Sequence, residues 1–461
     1  MKVLLVCQAY PPHPIVGAFR PYRIARAFRA AGHQVTVVTE RLPDDLEAKR
    51  PRDEGIEVRS VELGPRYRER AIGILDRFRG RRAEGSHASP ARVAATRARD
   101  AAAPAIEAPG ARRKGAAARG GGGLLRRLVL SLLWLPDDEQ RFIRPALRAA
   151  RDVLPDVDLI YTTAPSWSTH VVGLLLRRRT GKRWVADFRD PWLEIVHGRP
   201  DRPRTALTDR ILHHLERNIL HEADYVVAVA EKTRAALAAK VPAGQRSKFL
   251  LARNGIDAVH PPRHERVPGP LRVAYTGSFY DDRDPRLFLH ALALLRTRRP
   301  LSPETLRVDF AGSCRMMNGF SVEHLVSELG LDDVVHFHDW MPRPDVQRML
   351  SESDLLLVLA RGMELQVPNK LYEYLGMRLP IFAWADEAGE TAAVLRSIEG
   401  HYVVTSADVE EMARTLERAL DAPPRAIVSP VQERILEEWN AERQMTRLVE
   451  AVGTAPAVRV A

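Results

Sequence analysis

Short apolar runs alternate with amphipathic stretches along most of the chain. The first run, Lys2–Cys7, precedes a proline-rich loop, an amphipathic segment from Phe19 to Ala31 and a second apolar run from His33 to Thr39. Apolar positions at helical spacing between two such runs are typical of a strand, helix, strand unit with parallel strands. The pattern therefore predicts that the chain opens with a βαβ unit, in which Gly32 ends the helix.

The same alternation predicts two α/β domains. Prolines cluster between residues 261 and 270, where they predict a stiff linker. We place the first domain at residues 1–260, the second at 261–430, and a helix from Val431 to Val452 in the remaining 431–461. Further strands, some with the loop that follows, are predicted at Asp156–Thr163, Trp184–Trp192, Ala223–Ala230, Lys248–Ala252, Leu271–Gly277, Arg307–Gly312, Val334–His338, Asp354–Ala360 and Leu379–Trp384.

One basic segment interrupts the pattern. Residues 66–122 are rich in Arg, Ala, Gly and Pro, and we expect a mostly disordered insertion because so few apolar residues cannot offset the entropy of ordering. Residues 65–127 contain 16 Lys/Arg and 5 Asp/Glu, a net of +11 that equals the charge of the whole chain. The two domains are therefore neutral in sum. Aromatic residues do not interleave with the arginines, so nucleic acid is not the expected partner.

The apolar run Leu124–Leu135 leaves two interpretations open. Its two arginines and Trp134 fit an interfacial element on an anionic membrane, and they equally fit a core helix after a linker. No apolar run reaches the roughly 18 residues of a membrane span, and the first run is too short for a signal peptide. Cys7 lies in an apolar run, which favours a buried reduced thiol and a cytoplasmic protein.

Candidate chemistry begins with the stretch Val367–Trp384. It reads as a loop, a short helix with Asn369 as its N-cap, a left-handed stop at Gly376 and a buried strand from Leu379. Lys370 and Glu373 fall in the first helical turns, beside backbone donors that suit an anion.

Other polar residues follow predicted strands, and ligands bind at the carboxyl ends of parallel strands. In the first domain they are Asp187, Arg189 and Asp190, which either serve the site or form an Arg–Asp pair that only closes the loop. Gly17, in the loop after the first strand, is either a turn glycine or lets a ligand approach the backbone. In the second domain a glycine after a strand, with a cation six residues later, can hold a pyrophosphate. That pair is Gly277 and Arg283, and Gly389–Thr391 offer further amides.

The segments Pro368–Gly376, with the following Leu379-Pro-Ile, and Asp187–Trp192 resemble retaining GT-B glycosyltransferases of family 4, particularly their bacterial surface-polysaccharide branch. The resemblance implies an α/β GT-B fold, two Rossmann-like domains facing across a cleft, with the acceptor bound by the first and a nucleotide sugar by the second. It implies transfer of a hexose or its derivative to an acceptor hydroxyl with retention, in surface polysaccharide or glycoconjugate synthesis. The acceptor would be a glycan or a lipid-linked saccharide. The protein would act in the cytoplasm or at the inner face of the cell membrane, where it would make peripheral contact with anionic lipid. The C-terminal helix would cross back to the first domain.

The resemblance also assigns residues. Those expected to bind the donor are Gly277, Ser278, Arg283, Asn369, Lys370, Glu373, Gly389, Glu390 and Thr391, with Glu373 on the ribose. The acceptor side is assigned Gly17, Asp187, Arg189 and Asp190, and the catalytic residues are Asp190, Arg283 and Lys370. We expect no metal and no cofactor, because positive side chains would take the place of a cation, and we interpret the alternating pair His336 and His338 as structural.

Three positions depart from the family pattern. Arg189 stands where many members have a histidine, Ser278 replaces the first cation of the diphosphate site, and Leu365 stands where the first of two glutamates is usual, with Glu364 one residue out of register. These departures motivate one alternative, a catalytically degenerate GT-B binding subunit. Two others stay open: a nucleotide-sugar epimerase of the same fold, and an RNA-binding protein that would bind through the basic segment 66–122.

Overall fold

The computed structural model of the protein describes residues 1–53, 55–67, 129, 131–197, 205–262, 268–280, 283–421 and 426–454. The predicted disordered insertion at 66–122 lies outside these residues except at its first two positions, and so does half of the apolar run 124–135.

The first domain is built on a parallel sheet of seven strands in the order β3-β2-β1-β4-β5-β6-β7. Its strands are β1 (Lys2–Val6), β2 (Gln34–Glu40), β3 (Ile56–Val61), β4 (Leu159–Thr163), β5 (Arg183–Arg189), β6 (Tyr225–Ala228) and β7 (Phe249–Leu251). Its helices are α1 (Phe19–Ala30), α2 (Asp44–Glu47), α3 (Ile143–Ala150), α4 (Ser168–Thr180), α5 (Trp192–His197), α6 (Ala206–Glu222) and α7 (Glu231–Ala239). The chain reverses direction along the sheet between β1 and β4, which is where such sheets open a crevice for ligands.

The second domain repeats the architecture with a sheet of six strands in the order β12-β9-β8-β13-β14-β15. Its strands are β8 (Leu271–Thr276), β9 (Leu306–Ala311), β12 (Val335–His338), β13 (Leu355–Ala360), β14 (Ile381–Ala385) and β15 (Tyr402–Val404), and a separate antiparallel hairpin pairs β10 (Met316–Met317) with β11 (Phe320–Ser321). Its helices are α8 (Arg286–Arg298), α9 (Val322–Glu328), α10 (Arg343–Glu352), α11 (Asn369–Gly376), α12 (Glu390–Arg396) and α13 (Val409–Asp421). The predicted α/β class with two Rossmann-like domains is confirmed.

Each sheet is covered on both faces by an apolar core. The central strands are buried along their whole length, as the continuous apolar runs predict. Trp134 is 4% exposed and packs in the first-domain core. For this residue the core interpretation of the run 124–135 is therefore right, and Trp134 is not an interfacial tryptophan.

The C-terminal segment contains two helices where the sequence predicts one. They are α14 (Pro430–Glu438) and α15 (Ala441–Thr454), and the chain bends between them at Asn440, which pairs with Ile256 in a parallel bridge. Apolar residues of α14 join the second-domain core and those of α15 join the first, on the face that packs against α1. The two domains are therefore joined twice, by the linker and by this crossing.

Both cysteines, Cys7 and Cys314, are buried free thiols. Within the described part of the chain, no helix has the length and apolar character needed to cross a bilayer.

Candidate functional site

The helix α11 begins at Asn369, one residue earlier than the sequence predicts. Asn369 is its first residue rather than its N-cap, since Pro368 occupies the cap position and no side chain caps the helix. The predicted left-handed stop at Gly376 is also wrong, because the left-handed residue is Arg378, with φ 57°. The following strand begins at Ile381, two residues later than predicted.

Gly376 has a different function from the one predicted. A Cβ atom at this position would collide with the carbonyl oxygen of Ala258, and the amide of His260 donates to the Gly376 carbonyl at 2.8 Å. The glycine therefore lets residues 258–260, where the chain enters the interdomain linker, pass directly over the C-terminal end of α11, which carries the candidate site at its other end.

Gly277, Arg283 and Lys370 meet at the carboxyl edge of the second sheet. Gly277 has φ +121°, and a Cβ atom there would lie 2.5 Å from Lys370 Nζ. The ammonium of Lys370 lies 4.1 Å from the centroid of the Tyr275 ring, and the guanidinium of Arg283 lies 4.5 Å from that of Tyr280. Lys370 Nζ and Arg283 Nε are both buried, and neither has a hydrogen-bond partner among the described residues.

This pair of cations creates an unbalanced positive charge. Burial, and next the charge of Arg283, hold the pKa of Lys370 well below its ordinary value. Burial raises the pKa of Glu373, which follows Lys370 by one turn of α11, against the opposing charges of Arg343 and Lys370. A bound anion between Lys370 and Arg283 would satisfy both unpaired donors.

Two neighbouring residues complete the edge. Ser278 continues the loop after Gly277, and its carbonyl accepts a hydrogen bond from the Tyr275 hydroxyl at 3.0 Å. Asn369 is exposed at the start of α11, beside Lys370. The structure therefore brings most of the predicted donor residues to one place.

The N-terminus of α12 fits the prediction only in part. The amide of Gly389 donates to the Asp386 carbonyl at 2.9 Å, so it is not available to a phosphate. The carboxylate of Glu390 accepts from the Glu231 amide at 2.8 Å and forms an ion pair with Arg253. The Gly389 assignment is therefore corrected to a protein contact, whereas the amides of Glu390 and Thr391 as phosphate donors stay a prediction. Thr391 Oγ1 is buried without a partner in the described structure.

On the first domain, Asp187 is not exposed to an acceptor. Its carboxylate is fully buried and receives two hydrogen bonds from Arg20, from Nε at 2.7 Å and from Nη2 at 3.0 Å. Thr163 donates a third bond at 3.0 Å. The predicted acceptor contact of Asp187 is therefore corrected to a buried structural ion pair.

Gly17, Arg189 and Asp190 do come together at the carboxyl edge of the first sheet. Arg189 Nη1 donates to the carbonyl of Gly17 at 3.3 Å and to that of Ala164 at 3.2 Å. Asp190 Oδ1 accepts from Nε2 of Gln366, in the second domain, at 2.7 Å. This hydrogen bond joins the two edges across the cleft.

The loop before α11 makes further contacts with the first domain. Lys232 Nζ lies 2.9 Å from Glu364 Oε1, and the hydroxyl of Thr233 donates to the carbonyl of Leu365. Leu365 stands at the position where the resemblance places the first glutamate. Its side chain is not acidic, and its carbonyl already accepts a hydrogen bond from Thr233 of α7. Glu364 is turned to Lys232 and is 54% exposed.

No group of three or more His, Cys, Asp and Glu side chains suited to a metal occurs in the described ranges. His338 Nε2 instead lies 2.6 Å from Asp309 Oδ1. That no metal is needed stays a prediction.

Sequence reasoning missed four residues of this region. Arg20 carried a usable signal, because it occurs at the spacing of Ile24 and Phe28 on the buried face of α1 and a buried charge needs a partner. Tyr275, Arg253 and Gln366 carried none, since their roles arise from contacts between segments that are distant in the chain.

Solved structures share this architecture over nearly the whole chain. Sucrose-phosphate synthase from Thermosynechococcus elongatus has a TM-score of 0.61 at 14% identity, covering 98% of each chain. HepE from Anabaena, determined with UDP, has a TM-score of 0.59 at 14% identity, covering 99% of this chain and 100% of that one. The lipopolysaccharide outer core galactosyltransferase WaaB has a TM-score of 0.57 at 12% identity, covering 98% and 99%. At such identities the likeness establishes the fold.

The sequence of the second domain supplies the activity class. Residues 270–422 match the family Glycosyl transferases group 1. The chain is a GT-B glycosyltransferase. The matched range of the glycosyltransferase contains Gly277, Arg283, Lys370 and Glu373, so the site described above lies within the domain that defines the class. None of the curated proteins matches the sequence.

Proposed function

We propose that this glycosyltransferase moves a hexose or a hexose derivative from a nucleoside diphosphate sugar to a hydroxyl group of a glycan or lipid-linked saccharide. The observation that carries the proposal is that Lys370 Nζ, beside Gly277, and Arg283 Nε are buried donor atoms without a hydrogen-bond partner among the described residues. HepE from Anabaena, a neighbour in fold, has been determined in complex with UDP and with UDP-glucose, which supports a diphosphate as the anion.

In this proposal the two cations act on the leaving group. When the bond from sugar to diphosphate breaks, negative charge develops on the diphosphate oxygens, and donors already in position stabilise it without reorganisation. Gly277 leaves room beside Lys370 Nζ for a phosphate oxygen, because no side chain occupies that space. The phosphate would also raise the pKa of Lys370 back towards its ordinary value, so that binding restores the charge that burial removes.

The finer features of the reaction rest on the resemblance in sequence. Glu373 would accept hydrogen bonds from the ribose hydroxyls, and its place one turn after Lys370 suits a nucleoside joined to the diphosphate. Transfer would retain configuration, with a donor phosphate oxygen taking the acceptor proton. Asp190 would border the acceptor from the first domain, and no metal or cofactor would take part.

We extend the proposal to a peripheral contact with an anionic membrane at the cytoplasmic face, in the synthesis of a surface polysaccharide or glycoconjugate. Its support is the basic segment 65–127 in the sequence and the exposed apolar residues Val129, Leu132 and Leu207. Ser131 lies 3.5 Å from Thr205, which places those apolar residues in one region.

Vesicle sedimentation tests this extension. We expect binding to vesicles that contain anionic phospholipid, release by salt, and loss of binding in Leu132→Asp with Leu207→Asp. Equal recovery of the protein in the supernatant with anionic and neutral vesicles would exclude the membrane contact.

Calorimetric titration with UDP-, GDP-, ADP- and dTDP-sugars tests the donor site. We expect one base to bind, with affinity reduced roughly tenfold or more in Arg283→Ala and in Lys370→Ala. The matched control is Arg298→Ala, which removes a guanidinium of the same domain from a surface ion pair with Glu410. Absence of binding for every donor, or equal binding by the site variants and the control, would overturn the proposal.

A further inference from the structure

Arg189 is held in an unusual backbone conformation at the end of β5. Its φ is 57°, a left-handed value that costs free energy for a residue other than glycine. The pairing of β5 with β6 also shifts its register between Asp187 and Arg189. Together these deviations turn the side chain away from the strand and towards the loops that follow β1 and β4.

Two backbone carbonyls hold the guanidinium in place. Nη1 donates to both Gly17 and Ala164, at 3.3 and 3.2 Å. A Cβ atom at Gly17 would lie 3.3 Å from Nη1, closer than side chains ordinarily approach. The glycine that the sequence places in this loop therefore makes room for the arginine.

The carboxylates next to Arg189 are engaged elsewhere. Asp187 accepts two hydrogen bonds from Arg20, and Asp190 accepts one from Gln366. Arg189 forms no ion pair with any carboxylate of the described residues. Its Nε is buried without a partner, whereas Nη2, which also lacks a hydrogen bond there, reaches solvent.

A guanidinium in this state is costly to bury without a counter-charge. Burial, first among the causes, lowers the pKa of Arg189, with further contributions from the charges of Arg20 and Arg23. The charges of Asp190 and, to a smaller extent, Asp187 oppose that effect. The two carbonyls are neutral acceptors and no carboxylate is bonded to the guanidinium among the described residues, so an anion at Nη2 would supply the direct counter-charge that the side chain lacks.

We infer that Arg189 binds a carboxylate or phosphate group carried on the sugar of the donor or on the acceptor, so that the enzyme selects an acidic substrate. The inference rests on the proposed function, because it takes the cleft between the two domains to be the place of sugar transfer. Asp190, bonded across the cleft to Gln366, places Arg189 beside that cleft. The planar guanidinium matches a carboxylate or phosphate group better than an ammonium does.

Binding measurements with matched pairs of probes test the inference. In the donor arm, each nucleoside diphosphate hexose is compared with the hexuronic acid that shares its base. In the acceptor arm, the protein saturated with the nucleoside diphosphate is titrated with methyl glucoside, methyl glucuronide and glucose 6-phosphate. The variants are Arg189→Gln and Arg189→Lys, which keep a residue other than glycine at the left-handed position. Arg178→Gln is the control, because it removes an exposed guanidinium from the same domain.

We expect a preference of roughly tenfold or more for the charged probe in one arm, which identifies the source of the anion. Arg189→Gln should abolish the preference, Arg189→Lys should keep part of it, and Arg178→Gln should leave it unchanged. The affinity for the nucleoside diphosphate alone should be the same in all four proteins.

Two results would overturn the inference while the proposed function stands. One is binding of the nucleoside diphosphate with no charge preference in either arm. The other is a loss of nucleoside diphosphate affinity in Arg189→Gln, which would place Arg189 on the donor diphosphate. If no nucleoside diphosphate or nucleotide sugar binds at all, the proposed function fails and the inference fails with it.

Discussion

Lys370 Nζ lies 4.1 Å from the centroid of the Tyr275 ring, on the side where Gly277 has no side chain. The ring face attracts a cation but does not neutralise it as a carboxylate would. The site is therefore organised around an ammonium that has no hydrogen-bond partner among the described residues.

The lowered pKa of Lys370 predicts that binding of the nucleoside diphosphate takes up protons. Between the lowered pKa of Lys370 and its ordinary value the free protein holds part of this side chain neutral, and the bound phosphate favours the ammonium form. Calorimetry in buffers of different ionisation enthalpy measures the uptake, which Lys370→Met should abolish. Equal uptake by the wild type and the variant would contradict the assignment.

The same shift fixes the sign of a stability effect in the free protein. Because the folded pKa of Lys370 lies below the unfolded value, the unfolded chain binds more protons between the two values. This destabilisation is complete below the folded pKa and disappears as the pH rises to the unfolded value. Lys370→Met should therefore raise the free energy of unfolding near neutral pH, by about 1 kcal/mol or more, and lessen its rise with pH, both measured by denaturant titration.

The main features of the fold and half of the site could be predicted from local sequence. Continuous apolar runs such as Leu355–Ala360 predict buried parallel strands, which the structure confirms. The spacing of Gly277 and Arg283 predicts an anion site, and the structure brings Gly277 beside Lys370 Nζ. Each of these signals lies within a few residues of the feature that it predicts.

What could not be predicted depends on contacts between distant segments. The single helix expected after residue 430 is broken at Asn440 because that residue pairs with Ile256, and the apolar spacing around Trp439 gives no sign of it. The position of Asp187 at a strand end predicts a contact with the acceptor, whereas the side chain that it binds, Arg20, lies 167 residues away in the sequence.

Gly376 provides a test of the close approach between α11 and the linker. Gly376→Ala places a methyl group against the carbonyl of Ala258, and the backbone must move to admit it. We expect a loss of roughly 1–3 kcal/mol in the free energy of unfolding, because overpacking forces such shifts. Gly244→Ala is the control: a Cβ atom at Gly244 meets nothing within 4 Å and its backbone is not left-handed, so stability should not fall. A neutral Gly376→Ala would show that the linker does not need the glycine.

Variants of the ion pair between Arg20 and Asp187 test whether Asp187 has a structural role or a role in binding the acceptor. Both side chains are buried, at 2% and 0% exposure, so Asp187→Ala leaves an arginine without its counter-charge. We expect a loss of about 3–5 kcal/mol in the free energy of unfolding, and a smaller loss when Arg20→Met is combined with Asp187→Leu. Arg178→Met, which breaks the exposed pair with Glu222, should cost less than about 1 kcal/mol.

Kinetics of the same variants decide the acceptor question. If Asp187 acts only through Arg20, the double variant should keep the wild-type KM for the acceptor when rates are referred to the folded fraction. Arg20 also donates to the carbonyl of Arg253 at 3.3 Å, and Arg253 pairs with Glu390 at the start of α12. A lower kcat at constant KM would therefore trace to positioning of the second domain, whereas a raised acceptor KM at full folding would restore Asp187 to the acceptor site.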